Sequence, residues 1–213
     1  LEDMVSFVDI APTLLEAAGA KVPREMVGRS LVGIIASRRD GLAERQRTAV
    51  YGARERHSSS RYGNLAYPQR ALRTHDYLLI RNFRPDRWPA GAPQKLNADG
   101  TPGPMHGGYH DIDACPSLTF LIDSREDPEL SRFFHLAVDR RPEYELYDIP
   151  SDPGCLQNLY LSPQHAGIAT RLTAQLDRHL RDSGDPRAID GGDIFETYKR
   201  YSRIRRFPKP EAR

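Results

Sequence analysis

Between positions 54 and 61 the chain reads RERHSSSR. Arg54, Glu55, His57 and Arg61 are the candidates there for contact with a ligand, with Arg56 beside them. An arginine offers a planar, permanently charged fork that matches a sulfate or carboxylate, while Glu and His hydrogen-bond hydroxyls or amines. Together they suit an anionic, hydroxyl-rich ligand. The competing account is a solvated loop whose ion pairs are local and weak.

Other chemistry-bearing residues are weaker candidates. Arg70 and Arg73 alternate with apolar residues in a strand pattern, which favours ion pairing on a sheet face over ligand contact. His106, His110, Asp111 and Asp113 give an HxxxH spacing beside carboxylates, a metal pair if the segment were helical. Gly107 and Gly108 argue against that helix, so no metal is assigned, and Asp111 and Asp113 are expected to shape a loop over the site. Trp88 could stack on a sugar ring or anchor a loop. Cys115 would need activation, by a base or a lowered pKa, that the sequence does not supply, so no catalytic residue is assigned.

These side chains need elements to hold them. A helix is expected over 5–19, with Asp9 as a cap and Ile10, Leu14, Leu15 and Ala18 on one face. Strands are expected over 48–51, 67–74, 77–83 and 144–149; the second and third form a hairpin across His75-Asp76, and the last is an edge strand. Residues 84–111 carry too much Pro and Gly for a regular element and read as a long loop, a rim over a site or a flexible insert. A short helix fits 128–138, and 119–122 fits a short strand or helical turn. A longer helix runs over 162–183 with Ile168, Leu172, Leu176 and Leu180 on its buried stripe. The expected class is α+β: a small antiparallel β-sheet with a packed C-terminal helix.

The 213 residues suffice for one main domain with an appendage. No run approaches the roughly 18 apolar residues of a membrane span, and no basic-then-apolar leader opens the chain, so no membrane partner is expected. Leu1 in place of Met, followed at once by an amphipathic segment, reads as a cut edge or a clipped leader. Cys115 and Cys155 are expected to be unpaired thiols. The net charge of +2 divides unevenly: residues 198–213 hold seven basic side chains against Glu211, which leaves +6 there and −4 on the remainder. Residues 187–213 therefore read as a basic surface arm. A nucleic-acid partner for it lacks a recognisable binding module.

Three segments in order add a resemblance. Asp9-Ile10-Ala11-Pro12-Thr13-Leu14-Leu15, then Gly28-Arg29-Ser30-Leu31, then Glu145-Leu146-Tyr147-Asp148 with Asp152-Pro153 and Asn158-Leu159 resemble the C-terminal part of the sulfatase family. GARERH around His57, YPQRALRT at 67–74, LIRNF at 79–83 and PDRWPAG at 85–91 are similar to its heparan N-sulfatase (sulfamidase) branch. The resemblance implies the C-terminal portion of an alkaline-phosphatase-like fold, with residues 1–49 ending a missing α/β domain, 50–186 a C-terminal subdomain and 187–213 the tail. It implies hydrolysis of sulfate esters or sulfamates, N-sulfated glucosamine of heparan-type glycans above all, in a periplasmic, extracellular or lysosomal setting. Formylglycine and calcium are the implied cofactors of the full-length family member.

Neither cofactor has its residues in this chain. Cys115-Pro116-Ser117-Leu118-Thr119 places Pro directly after Cys and lacks the arginine of the family's nucleophile motif. No adjacent Asp pair supplies the oxygen ligands that calcium needs. The chain is thus expected to complete a substrate pocket against a missing N-terminal domain and to be inactive alone. A non-catalytic module binding sulfated glycans or anions is the alternative.

Overall fold

The computed structural model describes residues 1–57, 59–189 and 191–199. Four strands, β1 (Ala49–Arg54), β2 (Gln69–Thr74), β3 (Tyr77–Asn82) and β4 (Tyr144–Asp148), form one antiparallel sheet in the order β1-β2-β3-β4. Register sets Leu72 opposite both Tyr51 and Leu79, and Leu79 opposite Leu146. Because side chains alternate between faces, these four residues make one row, and it is covered by the helix α5 (Ala166–Asp182). Leu172, Leu176 and Leu180 recur one turn apart on its buried stripe and meet Leu72, Leu79 and Leu146 there. The α+β class, the hairpin across His75-Asp76, the edge position of β4 and this stripe are as expected.

β1 runs three residues further than its β-branched cluster suggested. Pairing with β2 carries the ladder through Gly52 and out to Arg54 opposite Gln69, so tertiary pairing overrides the poor strand preference of Gly.

The opening segment differs from the single capped helix expected over 5–19. A 3-10 turn at Phe7–Asp9 precedes α1 (Ile10–Ala17). Asp9 is fully buried, and its carboxylate binds away from α1. It accepts the Ser6 N–H at 2.8 Å, the Arg29 N–H at 2.9 Å and the Arg47 guanidinium. The Thr13 hydroxyl accepts the Leu31 N–H at 2.8 Å. Gly28 fits between these tethers because a Cβ there would collide with the Val8 carbonyl. One turn of helix, α2 (Val32–Ile35), follows where only a connection was expected.

Helices α3 (Pro116–Asp123) and α4 (Ser131–Val138) follow the long loop. Residues 84–111 hold no helix or named strand, yet the loop packs on a second apolar cluster of Ala90, Tyr109, Phe134 and Val138. Burial there pushes the Tyr109 phenol up to about 12. Cys115 and Cys155 are free thiols.

After residue 186 the expectation of a surface arm needs correction. Helices α6 (Pro186–Ile189) and α7 (Ile194–Thr197) are tied back by ion pairs to Glu55, Arg56 and Arg87, and the Arg187 side chain is 0% exposed. Paired charges, which apolar periodicity cannot reveal, hold this segment. Most of the basic tail, residues 200–213, lies outside the described residues. Among the described residues no helix is long and apolar enough to cross a membrane.

Candidate functional site

Arg54 ends β1 on the face turned away from α5, and the chain then leaves the sheet. The long loop returns opposite it. Gly91, at φ +94°, lets that loop close on Ser60: a Cβ would stand 2.9 Å from the Ser60 Cβ and 3.1 Å from the His110 nitrogen. Backbone bonds from Ala92 N–H to the Ser60 carbonyl (2.6 Å) and from Asp111 N–H to the Ala90 carbonyl (3.0 Å) complete the closure. They deliver Asp111 beneath the loop that follows β1.

The Asp111 side chain is 1% exposed and is the hub of the site. Its Oδ2 accepts Arg54 Nη2 at 2.9 Å and the Arg61 guanidinium, and its Oδ1 lies 3.4 Å from His57 Nδ1. Two guanidiniums against one carboxylate leave the cluster cationic. The excess lies outward, since Arg61 is 4% exposed whereas Arg54 is 37% and His57 64% exposed.

Arg61 is held as an internal brace. Its Nε and Nη2 donate to the carbonyls of Trp88 and Pro89, each at 2.6 Å, and its guanidinium lies 5.4 Å from the centre of the Tyr67 ring. Burial lowers its pKa, and Asp111 opposes that shift. Arg54 and His57 are the two predicted residues that present polar groups to solvent from this cluster.

Glu55 is turned elsewhere. Its Oε1 accepts Arg70 Nη2 at 2.8 Å and its Oε2 accepts Arg187 Nη2 at 2.6 Å, so the carboxylate belongs to a buried ion network that also includes Asp185. Arg70 therefore makes the sheet-face ion pairs expected of it. Arg56 donates to Glu196 at 2.9 Å and to the Asn64 carbonyl.

The remaining candidates are dispersed. Trp88 is half-buried with the Arg140 guanidinium 4.9 Å from its ring centre, a cation–π contact that anchors the loop. His106 bonds the Tyr109 hydroxyl at 2.9 Å and meets the edge of Phe134. His110, Asp113 and Cys115 line a separate cleft of ≈470 Å³ with Lys95. Glu145 and Tyr147 share the sheet face away from α5, where the Glu145 carboxylate accepts the Tyr147 hydroxyl at 2.6 Å and Asn82 Nδ2 at 2.7 Å. That pairing, with Leu146 turned to the core, accounts for three of the four residues in ELYD.

These residues do not fit a calcium centre. Among the described residues no three of His, Cys, Asp and Glu gather as ligands. The buried carboxylates Asp9, Asp111 and Glu145 are committed to guanidiniums, N–H groups and a phenol. Cys115 is exposed and immediately precedes α3.

Sequence reasoning missed Arg187 and Glu196, which grip the site loop from 132 and 140 residues away. No local pattern marks them.

Residues 1–95 match the family model described as N-sulphoglucosamine sulphohydrolase, C-terminal. Two ulvan-active sulfatases of Formosa agariphila are similar. One is 28% identical over 199 residues, spanning 90% of this chain and 28% of the relative. The other is 22% identical over 182 residues, spanning 85% and 30%. The chain thus spans under a third of the curated relatives it matches. Among solved structures, a protein in complex with its substrate D-glucosamine-2-N,6-O-disulfate is 20% identical over 85% of this chain and 25% of that one, at a TM-score of 0.48. A 2-O GAG sulfatase is also 20% identical, over 94% and 30%, at a TM-score of 0.47.

Proposed function

We propose, from the premise that this chain is a C-terminal part of the sulfatase family, that it supplies one wall of a pocket for a sulfated sugar. The observation that carries the reading is the outward pair of Arg54 and His57, the first a permanent cation and the second a polar ring, braced from below by the buried Asp111. Arg54 gives Asp111 one of its N–H donors, and a guanidinium has five. The others can donate to sulfate oxygens in the two-pronged geometry that suits such anions. His57 can donate to a sugar hydroxyl or to a second anionic oxygen.

On this reading the nucleophile and its metal ion are contributed from outside the chain, within an alkaline-phosphatase-like fold. The partner is the N-terminal sulfatase domain. Support comes from the opening segment, which leaves Phe7, Leu14, Val27 and Ile35 largely exposed while Asp9 holds the segment together through Ser6, Arg29 and Arg47. An apolar surface of this kind marks an interface.

N-sulfated glucosamine of heparan-type glycans is the substrate we favour, because the matching family model bears that description. The ulvan-active relatives, matched over most of the chain, support a sulfated ulvan oligosaccharide as the second reading. Calorimetry of the chain with each sugar, and with its unsulfated counterpart, separates the two. Binding of neither sulfated sugar overturns the wall proposal. The isolated chain should show no sulfatase turnover, and turnover by it would refute the assignment of the nucleophile to another segment.

A further inference from the structure

Four consecutive residues where β1 ends, Arg54 to His57, are pulled in two directions. The outer two face Asp111. The inner two are held by a segment more than 130 residues later in the chain. Glu55 receives Arg187 Nε at 3.0 Å and Nη2 at 2.6 Å, and Arg187 is itself fixed by donating to the Gly191 carbonyl at 2.9 Å. Arg70 bridges the same Glu55 to Asp185 at 2.6 Å. Arg56 donates to Glu196 at 2.9 Å, and Glu196 also accepts Arg87 at 2.6 Å and the Ala66 N–H at 3.2 Å.

Phe195 adds a ring beneath two of the cations, 5.3 Å from Arg187 and 6.0 Å from Arg70. Breaking one side of a buried charge network leaves the other side uncompensated, so such contacts hold a geometry more firmly than exposed pairs do. With Glu55 and Arg56 clamped, Arg54 and His57 have little freedom to leave Asp111.

We propose that the segment carrying Asp185, Arg187 and Glu196 is a strap that sets the site loop, with Arg187 and Glu196 as positioning residues for Arg54 and His57. What the loop binds rests on the sulfated-sugar reading above; the strap itself does not. Sulfate recognition then depends on the C-terminal strap although none of its residues touches the ligand.

The test combines trypsin cleavage with calorimetry on the 213-residue chain carrying Glu196→Gln, Arg187→Lys or the control Asp177→Asn, which breaks the Arg81 pair at 2.9 Å on α5. Cleavage after Arg56, relative to cleavage after Arg171 in α5, should rise about tenfold in Glu196→Gln and stay unchanged in the control, the difference expected for losing one charge-assisted bond. Affinity for the sulfated disaccharide should fall by a similar factor with no matching fall in the control. Arg187→Lys keeps the charge and loses the fork, so it should fold and loosen the loop to a smaller degree. Equal cleavage ratios in the wild type and both strap variants would overturn the strap. If the wild type binds no sulfated sugar, the functional reading fails while the cleavage ratio still decides the strap.

Discussion

Arg54 and Asp111 are 57 positions apart in the chain and 2.9 Å apart in the fold. One belongs to a regular strand and the other to a loop rich in Pro and Gly, and their pairing turns a run of charged residues into a defined surface. The loop supplies the anion, and the strand end supplies the exposed cation. Each side is incomplete without the other.

Asp111→Asn should be among the most damaging single substitutions near the site. It leaves the buried Arg61 guanidinium without its carboxylate, and removing one partner of a buried pair costs about 3–5 kcal/mol. Denaturant unfolding should show a loss of this size. A loss below about 1 kcal/mol, the value of a surface pair, would show that Asp111 does not brace the cluster.

Arg54→Ala and Arg54→Lys separate charge from shape. Arg54 is partly exposed, so neither change should unfold the chain. Losing a charge-assisted hydrogen bond of about 1.5–3 kcal/mol should weaken a sulfated disaccharide about tenfold or more in the alanine variant. Lysine keeps the charge without the fork and should recover only part of the affinity. Equal affinity in wild type and Arg54→Ala, measured by calorimetry, would remove Arg54 from the pocket wall.

Acid should unlock the fold at Asp9, Asp185 and Glu196. Burial, the largest single influence, opposes ionisation at all three, but the guanidiniums of Arg47, Arg70 and Arg87 together with backbone N–H donors outweigh it and hold each carboxyl below its usual range. Groups whose folded pKa is depressed stabilise fully above their unfolded values, about 3.9 for Asp and 4.3 for Glu, and lose that contribution as pH falls through the folded value. Unfolding free energy should therefore fall steeply below about pH 4. Asp9→Asn should be less stable at neutral pH and show a shallower acid slope. An acid profile identical to the wild type would contradict the role given to Asp9.

Leu172→Ala probes the stripe of α5 against the sheet. Leu172 is fully buried between strands and helix, and truncating such a leucine costs about 2–5 kcal/mol through lost transfer energy and the cavity left behind. Thermal denaturation measures it, and a change within about 0.5 kcal/mol, the usual surface effect, would refute this packing.

The elements were legible because their signals are local. Period two placed the hairpin strands, period 3.6 placed the stripe of Leu172, Leu176 and Leu180, and Pro and Gly marked residues 84–111 as loop. The candidate site was half legible: the arginine and histidine types stood out, whereas nothing local separated Arg54 and His57 from Glu55 and Arg61. β1 running on to Arg54, the burial of Arg61 and the diversion of Glu55 to Arg70 and Arg187 all depend on partners remote in sequence.

By itself, then, the sequence determined the hairpin of β2 and β3, the buried stripe of α5, the long loop and the stretch rich in anion-binding side chains, because those properties follow from neighbouring residues. The tertiary structure alone decided which of these charges are internal braces and which face solvent. A charged side chain is buried only where an opposite charge is delivered to it, and here Asp111, Arg187 and Glu196 arrive from tens to more than a hundred residues away.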